Sequence, residues 1–151
     1  MHRAKGKLRY SLKKESSDQD WWLVLDQCPE EIGKLYRNLY WLEHNKGRKL
    51  NPPYWGAHVT VVRNEEPPNK EFWWKHEGET IEFQYAGPVG NNCGPDRYRS
   101  FWWVQVTCPR LDEIREELGL PAKPHKSYHM TIGSQENEKN YHIYEAIKNG
   151  V

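Results

Sequence analysis

Apolar positions fall in short blocks suited to strands, separated by two longer stretches with helical spacing. Residues 6–12 alternate well enough for a short strand, and residues 21–25, WWLVL, form a dense run that predicts a buried strand. Pro29, a residue favoured in a first helical turn, opens a predicted helix reaching about residue 44. Ile32, Leu35, Tyr36, Leu39 and Leu42 supply its periodicity. Asn51-Pro52-Pro53 is a break, and residues 56–62 predict a second strong strand. Residues 71–75 and 80–86 read as strands, and residues 87–99, rich in Gly, Pro and Asn, as a long loop that can serve as a lid. The first pattern then returns. Residues 101–107 predict a strand, and Pro109 opens a helix carrying Leu111, Ile114 and Leu118. Pro121 and Pro124 break the chain before a strand at 127–133. Ser134 is expected to cap a last helix, with Tyr141, Ile143, Tyr144 and Ile147 on its apolar side.

Two segments read alike. Residues 21–29, WWLVLDQCP, resemble residues 102–109, WWVQVTCP, with one residue removed. Each is followed by an amphipathic helix, a Pro-rich break and a strand carrying His-x-Thr. The expectation is one domain over 1–151, an α+β fold with pseudo-two-fold symmetry and repeat halves at about 20–63 and 101–133.

Composition narrows the function. The chain has 151 residues and a formal net charge of +1, so it is not built to track a long duplex nucleic acid. A small anionic ligand needs only a local positive field. Eight Trp, nine Tyr and three Phe, set against few aliphatics, mean a core built largely from rings, with some left to stack on a ligand. Trp22, Trp41 and Trp102 or Trp103 are assigned to the core. Nothing in the sequence reads as a membrane span or an apolar signal core. Cys28, Cys93 and Cys108 are read as reduced thiols, which suits a cytoplasmic location.

His58-Val59-Thr60 and His129-Met130-Thr131 carry the chemistry. On a strand, side chains two apart share a face, so each motif presents an imidazole beside a hydroxyl while Val59 and Met130 point into the core. Chance predicts about 0.2 such tripeptides in this composition, and two occur. Two facing imidazoles form an acid–base pair that titrates near neutrality. The neutral ring takes a proton from an attacking hydroxyl, and the charged ring gives one to the leaving oxygen. Thr60 and Thr131 are placed to hydrogen-bond non-bridging phosphate oxygens. The chemistry calls for no metal and no other cofactor.

These two motifs, each on the second strand of a repeated strand–helix–strand unit, resemble the two-histidine (2H) phosphoesterase superfamily over nearly the whole chain. The resemblance implies a bilobal α+β fold around a central cleft. It also implies metal-independent cleavage of phosphodiesters beside a ribose hydroxyl, with His58, Thr60, His129 and Thr131 as the catalytic set. Members include RNA ligase-like proteins, cyclic phosphodiesterases and RNA-end exonucleases. Compact length and aromatic richness are most similar to a phage-encoded branch, the anti-CBASS nucleases, which degrade cyclic oligonucleotide alarm signals. That implies a cyclic di- or oligonucleotide substrate, met in the host cytoplasm. Processing of RNA ends or 2′,3′-cyclic phosphates, and sequestration of a nucleotide without turnover, are the competing readings.

Further residues are weighed for the ligand. Tyr10 and Trp74 are selected to stack on bases, and Glu136, placed at the start of the last helix, to meet a base edge. Arg3, Lys5, Lys7, Arg9, Lys13 and Lys14 either steer an anion or guard a strand edge by charge, with the second reading preferred. Lys123, His125 and Lys126 add positive potential before the second motif. His125 and His129 have the spacing of a helical zinc pair, but Pro124 and the strand pattern argue against a helix there.

Overall fold

The computed structural model describes residues 1–10, 21–44, 49–94 and 96–137. Strands β1 (His2–Tyr10) and β2 (Trp22–Asp26) lead into helix α1 (Glu30–Glu43) and strand β3 (Val59–Arg63). A 3-10 turn at Lys70–Phe72 precedes β4 (Thr80–Asn91), β5 (Arg99–Thr107), helix α2 (Pro109–Glu117) and β6 (His129–Glu136). All strand pairs are antiparallel, and the six close into a barrel in the order β1-β2-β3-β6-β5-β4. Strand–helix–strand occurs twice, as β2-α1-β3 and β5-α2-β6. The bilobal expectation is corrected in one respect. β1 pairs with β2 on one side and β4 on the other, so the two units join into a single closed sheet.

One row of register partners crosses five strands: Leu8, Leu25, Val59, Met130 and Val104, each completely buried. Alternation then sends the neighbouring positions to the other, polar face. On α2 the predicted Leu111, Ile114 and Leu118 are all buried. On α1 the helical period holds but the buried stripe differs. Ile32 and Gly33 are buried, while Leu35, Leu39 and Leu42 are 55%, 49% and 59% exposed. Gly33 lets the helix approach β6 at Ile132, which turns the leucines outward.

Three sequence expectations change. Residues 71–75 form no strand, because Trp73, Lys75 and Glu77 donate their backbone N–H groups to carbonyls three residues back. The loop assigned to 87–99 starts late, since β4 runs on past a register shift and pairs Gly90 with Trp103 and Asn91 with Trp102. Ser134 lies within β6 opposite Phe101, so it caps no helix. The last helix expected around 141–147, residues 11–12 of the first strand, and Lys13 and Lys14 lie outside the described residues.

Both His-x-Thr strands are bulged one residue beyond the threonine. Val24 pairs with Thr60 and Leu23 with Val62, which leaves Val61 as the extra residue. Trp103 pairs with Thr131 and Trp102 with Gly133, which leaves Ile132. A bulge residue drops out of the ladder, so a buried carbonyl there needs another donor. Arginines supply it, each from the helix of the other unit. Arg115 on α2 donates Nη1 to the Val61 carbonyl at 2.7 Å. Arg37 on α1 donates Nη1 to the Ile132 carbonyl at 2.7 Å. Arg115 is 1% exposed and completes its set with both Glu65 carboxylate oxygens at 2.9 Å and the Pro121 carbonyl at 2.8 Å. The guanidinium in turn holds the Glu65 carboxyl below its ordinary pKa.

Replacing Arg115 by Met strands two carbonyls and a partly buried carboxylate. The expected loss is about 3 kcal/mol in urea unfolding. Arg37→Met, which gives up one bond from a half-buried side chain, costs about 1 kcal/mol. An unchanged urea midpoint in Arg115→Met would show that the bulge carbonyl needs no buried donor.

Candidate active site

His58 stands just before β3 and His129 opens β6. Val59, Val61, Met130 and Ile132 are completely buried, whereas His58, Thr60, His129 and Thr131 are half-buried on the opposite face. Continuing the Val59–Met130 register by one residue each way sets His58 opposite Thr131 and Thr60 opposite His129. Directly opposed residues have Cβ atoms about 4.5–5.5 Å apart. The two motifs therefore interlock into one compact set, in which each imidazole faces the other motif's hydroxyl.

Each imidazole is oriented in the same way. His58 Nδ1–H donates to the Gly56 carbonyl at 3.0 Å, and His129 Nδ1–H to the Ser127 carbonyl at 3.4 Å, the longer and weaker bond. A carbonyl only accepts, so the proton sits on Nδ1 and leaves Nε2 of both rings for chemistry. Both acceptor residues are left-handed, Gly56 at φ 79° and Ser127 at φ 61°. Glycine takes that conformation freely, while serine is strained in it. A Cβ on Gly56 would also lie 2.8 Å from Glu30 Oε1, which accepts the Ala57 N–H at 2.8 Å.

The pKa of His129 is lowered. Burial is the main cause, the Ser127 carbonyl opposes it, and the positive charges of Lys126 and His58 push the same way as burial. The neutral ring is thus favoured at His129. Lys126 acts as expected, whereas Lys123 is taken up by Asp112 at 2.8 Å and His125 is exposed.

The other selected residues divide. Glu136 ends β6 and begins no helix among the described residues. The β5 register puts it on the tetrad's face, through Arg99–Glu136, Phe101–Ser134, Trp103–Thr131 and Gln105–His129. Its carboxylate accepts from Tyr98 Oη at 3.1 Å and Arg99 Nη2 at 2.9 Å. Tyr10 is placed elsewhere. It is 3% exposed on the apolar face of β1, its Oη accepts the His76 N–H at 3.3 Å, and burial raises its pKa to about 12. Trp74 is 56% exposed but joins Tyr10, with ring centroids 5.9 Å apart, rather than the tetrad. The ring beside the tetrad is Trp103, with its centroid 5.7 Å from that of His129. It lies over Gly90, where any Cβ would come within 2.7 Å of the indole nitrogen. The signal was strand parity, because Trp103 alternates with buried Trp102. No group of three or more His, Cys, Asp or Glu side chains suited to a metal ion occurs among the described residues. Nor is any helix among them long and apolar enough to cross a membrane. All three cysteines are free thiols.

Residues 37–140 match a family model described as Swiss Army Knife, 2H phosphoesterase domain. The searches of curated proteins and of solved structures give no match.

The two left-handed residues give opposite expectations. Gly56→Ala adds backbone strain and displaces Glu30, and should cost about 2 kcal/mol. Ser127→Gly relieves strain, offset in part by chain entropy, and should gain about 0.5 kcal/mol. Urea midpoints measure both. A Ser127→Gly protein as destabilised as Gly56→Ala would contradict the strained-acceptor account.

Proposed function

The chain belongs to the 2H phosphoesterase family, and from that premise we propose that it is a metal-independent phosphodiesterase hydrolysing 3′–5′ bonds of cyclic di- or oligonucleotides. The observation that carries this is the interlocked register of the two His-x-Thr strands. Neutral His129 accepts the proton of the ribose 2′-hydroxyl, and the 2′-oxygen attacks the adjacent phosphorus. Protonated His58 donates through Nε2 to the departing 5′-oxygen. Thr60 and Thr131 hydrogen-bond the non-bridging oxygens as charge builds on them. The first product is a 2′,3′-cyclic phosphate with a free 5′-hydroxyl. His58, now neutral, activates water, and His129, now charged, protonates the leaving 2′-oxygen, which opens the ring and restores both residues.

His129 is given the base role because its lowered pKa favours the neutral ring. Trp103 offers its indole to a base beside the scissile phosphate. The net charge of +1 suits a ligand with few phosphates better than a long RNA track. The resemblance to the phage-encoded anti-CBASS branch favours a role in disarming cyclic-nucleotide antiphage signals inside a bacterial host.

A panel of cyclic nucleotides and an RNA 2′,3′-cyclic phosphate, incubated in EDTA, tests the reading. Cyclic nucleotides should be cleaved, and His58→Ala or His129→Ala should lower the rate at least about 100-fold with folding retained. Turnover of the RNA end alone would move the substrate, while intact ligand after long incubation would leave a sequestering protein. Activity abolished by EDTA would defeat the chemistry. The pH dependence has a definite sign. The base must be neutral, so kcat/KM rises with pH through the His129 pKa, below the ordinary histidine value of about 6.5. It falls again once the general acid is deprotonated. A rising limb above neutral pH would contradict His129 as the base.

A further inference from the structure

We propose that Lys7 and Arg9 of β1 form a subsite for a second phosphate of the ligand, two strands away from the catalytic set. This rests on the phosphodiesterase reading and specifies its substrate as a nucleotide with at least two phosphodiester groups.

The argument is one of register. Arg9 pairs with Val24, and Val24 with Thr60. Lys7 pairs with Asp26, and the same β2–β3 register, continued one residue past Leu25–Val59, brings Asp26 opposite His58. Register partners in an antiparallel sheet share a face. The two basic residues therefore end the two rows that contain the histidines and threonines, at about 10 Å, or two strand spacings. Alternation agrees, since Lys7 is exposed while its neighbours Gly6 and Leu8 are buried.

Protection of a strand edge does not explain Lys7, which is paired on both sides, with Asp26 and with Thr80, and Arg9 is paired with Val24. Nor are they consumed by carboxylates. On this face Arg9 lies 3.7 Å from Asp26 and Arg3 lies 3.9 Å from Glu82, both loose contacts. Lys5 stands opposite Glu82 and Lys7 opposite Asp26, yet neither lysine makes an ion pair among the described residues. Among the described residues of this face, four cations against two carboxylates leave a net positive strip beside the site. A single-phosphate substrate, held by the tetrad, would not reach it. A cyclic dinucleotide presents its second phosphate across the ring from the first, and a charge-assisted contact to Lys7 or Arg9 would anchor it.

Lys7→Ala, Lys7→Glu and Arg9→Ala, compared with the unaltered protein, test this on two probes: a 3′,5′-linked cyclic di-adenylate and 2′,3′-cyclic AMP. The expected result is a loss of about tenfold in kcat/KM on the dinucleotide, carried by KM. The loss should be at least about threefold smaller on the mononucleotide and largest for Lys7→Glu. Equal losses on both probes, or no loss on either, would overturn the subsite. Binding of the dinucleotide to His58→Ala/His129→Ala, with and without Lys7→Ala, separates this proposal from the catalytic one. If the unaltered protein cleaves neither probe yet Lys7→Ala weakens binding about tenfold, the subsite stands and the phosphodiesterase reading falls. Binding indifferent to Lys7, or absent altogether, overturns the subsite.

Discussion

A β-bulge leaves one carbonyl outside the ladder, and a buried carbonyl without a donor costs about 1–3 kcal/mol. Both His-x-Thr strands carry that cost at the same place, directly after the threonine, at Val61 and Ile132. In each the donor is an arginine from the helix of the other unit. The arrangement explains why two adjacent valines, Val61 and Val62, are both buried on a strand whose preceding residues alternate. It also makes the site a shared property. α2 fixes the strand bearing His58, and α1 fixes the strand bearing His129. A shift of either helix would move the opposite imidazole.

A second, local device refines what the bulges set. The residue two before each histidine is left-handed, and its carbonyl receives the Nδ1 proton. The two rings are thereby given the same tautomer and the same free nitrogen. His129 is pushed toward the neutral form by burial, with Lys126 and His58 contributing. In the proposed mechanism that preference gives His129 the base role.

Much of this was legible in the chain. Alternation in HVTV and HMTI fixed which side chains face the core, and proline and helical period located α1 and α2. What stayed hidden depends on contacts distant in sequence. No local signal marks Val61 or Ile132 as bulged, since the cause is a mismatch with β2 and β5. The α1 leucines show a period but not which stripe meets the sheet, and Gly33 with Arg37 decided it. The sequence favours Trp74 as the stacking ring, and only tertiary register sets Trp103 beside His129. Tyr10 looked available in a basic run, but strand parity put it in the core while its basic neighbours took the face of the two His-x-Thr motifs.

The proposed chemistry rests above all on its nucleophile, a hydroxyl of the ligand's own ribose, activated and relayed by two imidazoles without a metal. Product analysis of a cyclic dinucleotide and its 2′-deoxy counterpart, both in EDTA, addresses it directly. The ribose form should yield a 2′,3′-cyclic phosphate intermediate and then a terminal phosphate, and the deoxy form should bind and remain intact. Equal cleavage of the two would contradict the mechanism, because the attacking oxygen would then have to come from somewhere other than the ligand.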